Sequence, residues 1–502
     1  MKLFLNGKVN IYYIQTLCMI FFPGEKFGAA EAEHENTPAL WLDLTEKEDG
    51  LEAKVRVEAD GKSAETTKFY AFSEQRDRDK TAKLACGAAV VAACGELIGY
   101  RPSWGMLTGV RPSKVATELL QSGMSKTRVK RTLASEYFVI PKKAALATDV
   151  ALNEQKLIGS SWNSKDCSVY VGIPFCPSRC SYCSFVSYTS PKLLSLIPEY
   201  LLHVAQDLEK TFGKIRELGL RVKTVYIGGG TPTILSADQL RFLLGKIASL
   251  TDVSSLEEYT LESGRPDTIT AEKFAVAREY GVTRVCVNPQ SLCDDVLREI
   301  GRAHTAEDFL RAYEIARESG IPCINTDLIV GLPGDNFKSF SKTFDKILAL
   351  HPQNITIHTF CVKKAADILR QGSHVYSVRG GDAGKCVDYT QLRAQQEGYL
   401  PYYMYRQKNT VGNFENVGFA LEGTEGLYNI YMMEEVQSIF AVGAGAITKL
   451  VDYDRANKEI RRIARISNPK YPYEYLEMYS SAEKRREELI KKALEFFNPC
   501  EK

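Results

Sequence analysis

A chain of 502 residues exceeds what one ordinary core holds, so two or three domains are expected. Hydrophobic residues at 44%, charged residues at 25% and a formal net charge of +2 exclude disordered and strongly basic classes and give no overall pull towards nucleic acid or an acidic membrane surface. The 13 cysteines, odd in number and without regular pairing, argue against a disulfide framework and for a reducing compartment, with most of them small buried core residues.

In chain order, strand-like runs come first, at 1–5, 11–22, 40–44 and 51–58. The apolar run 11–22, interrupted by Gln15, is well short of the roughly 20 residues that span a bilayer and reads as a buried strand. No basic leader with a small-residue cleavage site precedes it, so a cytoplasmic address with no membrane span is expected. Helical periodicity then takes over at 82–98, 114–121, 126–135 and 142–158, making residues 1–160 an α+β accessory domain. Basic residues at 126–131 and 484–486 alternate with helix formers and acidic neighbours, which suits solvated helix faces better than a nucleic-acid site.

From 161 to 375 short β-branched runs alternate with amphipathic segments. Strands are expected at 168–173, 224–227, 258–262, 284–288, 323–330 and 354–360, an α/β pattern of six βα units and so a partial (β/α)6 barrel. In such folds the loops after the strands' C-terminal ends build the site. Beyond 375 a helix at 382–397, a Gly/Asn/Tyr-rich stretch at 398–429 and two final helices predict a mostly helical C-terminal subdomain covering the barrel.

Directly after the first barrel strand, Tyr170-Val-Gly-Ile-Pro-Phe-Cys176-Pro-Ser-Arg-Cys180-Ser-Tyr-Cys183 places three thiols within eight residues. Three thiolates on a 4Fe–4S cluster leave one iron open for chemistry, as a catalytic zinc keeps one open position. A three-thiol zinc site would want a fourth Cys or His nearby, and the next histidine, His203, falls on a predicted helix. The three-plus-two spacing resembles that of the radical S-adenosylmethionine superfamily. There the amino and carboxylate groups of the methionine moiety chelate the open iron, and an electron cleaves the sulfonium.

Gly228-Gly229-Gly230-Thr231-Pro-Thr follows the second strand and precedes a helix with Ser236 as its N-cap, so backbone approaches closely there. A plain βα turn is its structural reading, and a missing Lys argues against phosphate binding. Glu262 ends the third strand, Gln290 follows the fourth, Arg302 lies a turn past a short helix and Asp327 sits in the fifth strand, all four facing the same predicted end. Singly each would be a surface group or a cap; jointly they suit a nucleoside sulfonium, with carboxylates for ribose hydroxyls and ammonium, and Arg or Gln for the carboxylate.

With these motifs assembled, residues 165–365 resemble the oxygen-independent coproporphyrinogen III oxidase (coproporphyrinogen dehydrogenase) group of radical enzymes, which also contains a haem chaperone and haem-degrading methyltransferases. The resemblance implies cluster ligation by Cys176, Cys180 and Cys183. It implies cofactor contacts from Tyr170, Tyr182, Gly229, Gly230, Thr231, Glu262, Gln290, Arg302 and Asp327, with Tyr182 on the adenine and the glycines on the amino group. Leu107-Thr-Gly-Val-Arg-Pro112, Tyr403-Met-Tyr-Arg-Gln-Lys-Asn and Phe414-Glu-Asn-Val-Gly418 extend it to a subgroup of coproporphyrinogen dehydrogenase-like proteins of Gram-positive anaerobes and bacilli.

That extension makes Arg111 and Arg406 candidates for binding a propionate-bearing tetrapyrrole, coproporphyrinogen III or haem, against a structural reading as turns and a polar seam. The implied reaction is oxidative decarboxylation of propionates to vinyls, with an electron donor of flavodoxin or ferredoxin type. One departure stands out: the decarboxylating enzymes carry a fourth cysteine two residues after the third, where this chain has Phe185, as the chaperone-like branch does. Haem delivery, with His304 or His358 as axial ligand, and radical methyl transfer that opens haem are therefore the alternatives.

Overall fold

The computed structural model describes residues 1–27, 37–74, 76–161, 163, 165–183, 187–361, 381–407, 410–454, 459–481 and 496. The chain forms two compact units, one of Met1–Leu152, Tyr376–Gly384 and Met404–Glu415, the other of Asn153–Val375, Lys385–Tyr403 and Asn416–Lys502.

In the first unit β1 (Lys2–Asn6) lies parallel to β2 (Ala39–Lys47), and β2, β3 (Gly50–Ala59) and β4 (Lys62–Ala71) follow as an antiparallel meander. Asp60 and Gly61, both at positive φ, make the tight β3–β4 turn that an Asp-Gly pair favours. Helix Arg78–Ile98 packs on β3 and β4 through Leu84, Ala85, Ala88 and Ala89; Asp77 caps its start and Gly99, at φ 65°, ends it. This helix is long and apolar enough to cross a membrane by composition, yet most of that surface is buried inside the unit.

Residues 11–22, expected as a strand, instead form helix Ile11–Phe21. The Asn10 side chain accepts from Tyr13 N at 3.0 Å, and Ile14, Leu17, Cys18 and Phe21 are buried at helical spacing. The unit also holds a buried ion pair. Lys143 Nζ and Trp104 Nε1 each donate to the Glu415 carboxylate at 2.7 Å, and both partners of the Lys143–Glu415 pair are almost fully shielded from solvent.

The second unit is built on β5 (Asp166–Ile173), β6 (Arg221–Gly229), β7 (Glu258–Glu262), β8 (Arg284–Cys286), β9 (Cys323–Val330) and β10 (Asn354–Thr359). These six pair in parallel and in chain order, the α/β partial (β/α)6 barrel. Ser236 opens the helix after β6 with a capping box to Gln239. Alternation along the strands gives the barrel two faces. Val169, Val171, Val225, Ile227 and Leu261 form an apolar layer on β5, β6 and β7, while Tyr170, Tyr226 and Glu262 fall on the other side of these strands, a face that Cys286 of β8 and Asp327 of β9 continue.

Among its described residues the C-terminal part is not mostly helical. After helix Gly381–Gln396 it supplies five strands, β11 (Leu400–Arg406), β12 (Glu415–Ala420), β13 (Ser438–Val442), β14 (Ile447–Asp454) and β15 (Glu459–Ser467). β12 pairs antiparallel with β10, and β13 pairs parallel with β5, so both edges of the barrel sheet are covered. A free edge with unpaired N–H and C=O groups recruits strands whatever their own periodicity. Helices Leu427–Glu434 and Pro472–Ser481 lie between and after these strands. The basic run 484–486 lies outside the described residues.

Candidate active site

The loop leaving β5 carries the three cysteines. Tyr188 N donates to Pro174 O at 2.9 Å and Cys176 N to Tyr188 O at 3.0 Å, closing the loop's base, while Cys183 N donates to Cys180 O at 3.0 Å in a tight turn. Cys176 and Cys180 are buried and Cys183 is half-buried. Burial pushes the Cys176 thiol up to about 11, opposed by its contact with the Thr231 hydroxyl at 3.2 Å.

The glycine motif after β6 is stapled to this loop. Gly230 N donates to Ile173 O and Thr231 N to Phe175 O, both at 2.8 Å. Gly229 sits at φ 114°, and a Cβ on Gly230 would stand 2.5 Å from Phe175 O and 3.0 Å from Cys176 Sγ. The glycines thus let the cysteine loop lie directly on the barrel edge. Gly230→Ala is expected to push that loop away, lowering stability by about 1–3 kcal/mol and reducing the visible absorption of a reconstituted cluster; unchanged loading would remove this role.

Two guanidiniums reach Cys180. Arg265 Nη1 lies 3.6 Å and Arg302 Nη1 3.8 Å from its sulfur. Arg302 is fixed through Nη2 to Gly264 O, at 2.8 Å, and to Asn288 O, and it is nearly fully buried. Such donors match an anionic thiolate. Among the described residues no three His, Cys, Asp or Glu side chains converge as ligands of a single metal ion would. A cluster asks each thiol for a different iron, and three neighbouring thiols with guanidinium donors on one of them fit that demand.

Glu262 and Asp327 face one another across the strands. Tyr226 donates its hydroxyl to Glu262, and Tyr226, Tyr170 and Tyr428 stack with centroids 4.5–6.3 Å apart. Asp327 accepts from Asn325 at 2.7 Å and Asn288 at 2.9 Å, with His358 Nε2 at 3.6 Å. Burial, then the Asp327 charge, raise the Glu262 carboxyl from its ordinary 4.5 to about 7. Because the folded value is raised, Glu262 binds a proton more readily folded than unfolded, and its contribution to stability declines as pH rises from about 4.5 to 7. Glu262→Gln is expected to match wild type near the lower end of that window and to melt higher than wild type above its upper end; parallel melting curves at both pH values would contradict this.

Gln290 adopts φ 68°, unusual for a side chain of its kind, while its backbone bridges to β9 through Asp327 O and Ile329 N; its Oε1 is buried with no partner among the described residues. Tyr182 is half-buried beside Cys180, and burial holds its hydroxyl well above the ordinary value. His304 is buried behind the arginines and is lowered to about 4, by burial first and then by Arg302, so it stays neutral.

The second unit thus brings together all but two of the expected site residues. Arg111, half-buried, and Arg406 belong to the first unit. The Arg406 guanidinium is buried over Trp104, 5.9 Å from its ring centre, and its Nε and Nη1 have no partner among the described residues. Burial lowers it to about 10, with Glu415 opposing. Asn416 has a structural task, accepting from Thr359 N at 2.8 Å. Phe185 lies outside the described residues. Arg265 and Asn288 were not singled out by sequence, although both sit in the strand-end loops where a barrel site is expected.

The sequence profile of the Radical SAM superfamily matches residues 170–347. The chain is 35% identical over 482 residues to the oxygen-independent coproporphyrinogen-III oxidase-like protein HemZ of Bacillus subtilis, covering 95% of this chain and 92% of that protein. It is 31% identical over 283 residues to the heme chaperone HemW of Bacillus subtilis, covering 56% of this chain and 70% of the relative. Among solved structures, coproporphyrinogen III oxidase (HemN) of Escherichia coli is 19% identical, with 66% of this chain and 72% of that one covered at a TM-score of 0.49. The chain belongs to the radical S-adenosylmethionine superfamily, whose members use a 4Fe–4S cluster and S-adenosylmethionine, within the group of oxygen-independent coproporphyrinogen-III oxidase-like proteins.

Proposed function

We propose that Cys176, Cys180 and Cys183 hold the 4Fe–4S cluster and that the chain oxidatively decarboxylates the propionates of coproporphyrinogen III to vinyl groups. The observation that carries the radical chemistry is the meeting, on one barrel edge, of the cysteine loop, the glycine turn and Arg302, Glu262 and Asp327. Held by Cys176, Cys180 and Cys183, the cluster with S-adenosylmethionine would supply one-electron abstraction of hydrogen from a propionate β-carbon, and the loss of carbon dioxide that leaves the vinyl group would hand one electron to a one-electron acceptor.

The chain's own residues bind and orient. Gly229, Gly230 and Thr231 seat the cysteine loop and offer backbone to the cofactor's ammonium. Arg302 and Gln290 suit its carboxylate, Glu262 and Asp327 its hydroxyls, and Tyr170 and Tyr182 its nucleoside. For the substrate, the orphaned Nε and Nη1 of Arg406 suit a carboxylate such as a propionate, and Arg111 is the second candidate. Similarity to the coproporphyrinogen-III oxidase-like relative over 95% of the chain, against 56% for the heme chaperone, supports this choice.

Phe185 in place of a fourth cysteine supports the second reading, capture and delivery of haem. Anaerobic incubation of the reconstituted chain with a flavodoxin-type donor, S-adenosylmethionine and coproporphyrinogen III separates the two. Loss of two carboxyl groups by mass spectrometry is the expected result. Haem co-purifying with the chain, with coproporphyrinogen left intact, would replace decarboxylation by the second reading.

A further inference from the structure

Arg265 stands in the turn after β7, in Arg265-Pro-Asp267, and is 3% exposed. Every nitrogen of its guanidinium is engaged. Nε donates to Asp267 Oδ1 at 3.0 Å and Nη2 to Asp267 Oδ2 at 3.1 Å, a bidentate fork that fixes the plane of the group. Nη2 also donates to Ser178 Oγ at 2.9 Å, and Nη1 to Ser178 O at 3.3 Å and towards Cys180 Sγ at 3.6 Å.

The contrast with Arg302 is chemical. Arg302 shares the sulfur but keeps an Nε with no partner among the described residues, an N–H available to a bound molecule. Arg265 has no edge left to offer one. What remains for it is to place a fixed positive charge and an N–H on a cluster ligand.

Hydrogen bonds to ligand sulfurs and nearby charge set iron–sulfur potentials, because they stabilise the reduced, more negative state more than the oxidised one. Asp267, with a side chain 26% exposed, sits on the far side of the same guanidinium and partly offsets its charge. We propose that the Arg265–Asp267 pair tunes the reduction potential of the cluster held through Cys180, with Arg265 raising it and Asp267 lowering it. Arg265 is a positioning residue in this account, acting through a thiolate and not on the substrate. The inference rests on the cluster ligation proposed above.

The test is an anaerobic redox titration of the full chain with reconstituted cluster, followed by electron paramagnetic resonance and without S-adenosylmethionine. Arg265→Gln is expected to shift the midpoint negative by a tenfold change in the one-electron equilibrium, about 59 mV, and Arg265→Lys by less. Asp267→Asn is expected to shift it positive, whereas Ser178→Ala, which removes a loop anchor and no charge, leaves it in place. A loaded Arg265→Gln chain at the wild-type potential would overturn the proposal. Should that variant not take up iron, Asp267→Asn decides alone, an unmoved or more negative midpoint counting against tuning. A wild-type chain that takes up no cluster would instead defeat the ligation reading itself.

Discussion

Replacing Cys180 by alanine is expected to leave a folded chain that no longer assembles a 4Fe–4S cluster and forms 5'-deoxyadenosine at least about a thousandfold more slowly, a loss of about 4 kcal/mol of transition-state stabilisation. The loop's shape is set by main-chain bonds, Cys176 N to Tyr188 O, Ser181 N to Ile300 O and Cys183 N to Cys180 O, none of which needs the thiol. The barrel core beneath it is apolar and continuous, with Val169, Val171, Val225 and Ile227 fully buried. Circular dichroism should therefore match wild type while iron content collapses. Cys180 is the most telling of the three because both guanidiniums aim at its sulfur, at 3.6 and 3.8 Å. Without it, two buried cations face one another with less negative charge between them. Full iron content and full cleavage activity in Cys180→Ala would remove the ligand set proposed here.

The largest stability effect is expected in the first unit, at Lys143. Its ammonium and the Glu415 carboxylate are 1% and 0% exposed, so Lys143→Met takes the ammonium away from a carboxylate held in the interior, to which Trp104 Nε1 still donates. Breaking one partner of such a pair costs about 3–5 kcal/mol, far more than a surface ion pair is worth. The double variant Lys143→Met with Glu415→Gln removes the carboxylate's charge and keeps an acceptor for Trp104, so it should recover most of the loss. Urea unfolding of wild type, single and double variants measures this directly. A single variant within about 1 kcal/mol of wild type would mean that water or a nearby cation reaches Glu415.

The barrel strands were legible because they are short buried runs alternating with amphipathic helical segments, and the expected and observed limits agree within a few residues, with β7 and β9 matching at both ends. Helix Ile11–Phe21 was not, because a nearly unbroken apolar run satisfies both periodicities; the deciding signal was Asn10, a side chain that caps a helix. β4 escaped because it is mostly exposed and shows little apolar alternation, although Asp60-Gly61 announces its hairpin. β11 carries Pro401, β12 carries Asn416 and Gly418, and neither alternates apolar with polar residues, so neighbouring strand edges give them their conformation.

Within the site, the cysteine spacing and the glycine turn were readable because their meaning is local. Arg265 and Asn288 acquire theirs only when loops from different strands meet. Arg265 is 85 positions from Cys180, and Asn288 touches both Asp327 and Arg302 through different atoms. No periodicity encodes such encounters; they follow from six parallel strands ending on one edge.

The central claim, that this cysteine loop supports reductive cleavage of S-adenosylmethionine, is tested by incubating the anaerobically reconstituted chain with S-adenosylmethionine and dithionite and quantifying 5'-deoxyadenosine and methionine. Formation of both, dependent on reductant and absent when Cys176, Cys180 and Cys183 are replaced together, is the result expected. A fully loaded and reduced cluster that leaves S-adenosylmethionine intact, with or without tetrapyrrole present, would contradict it.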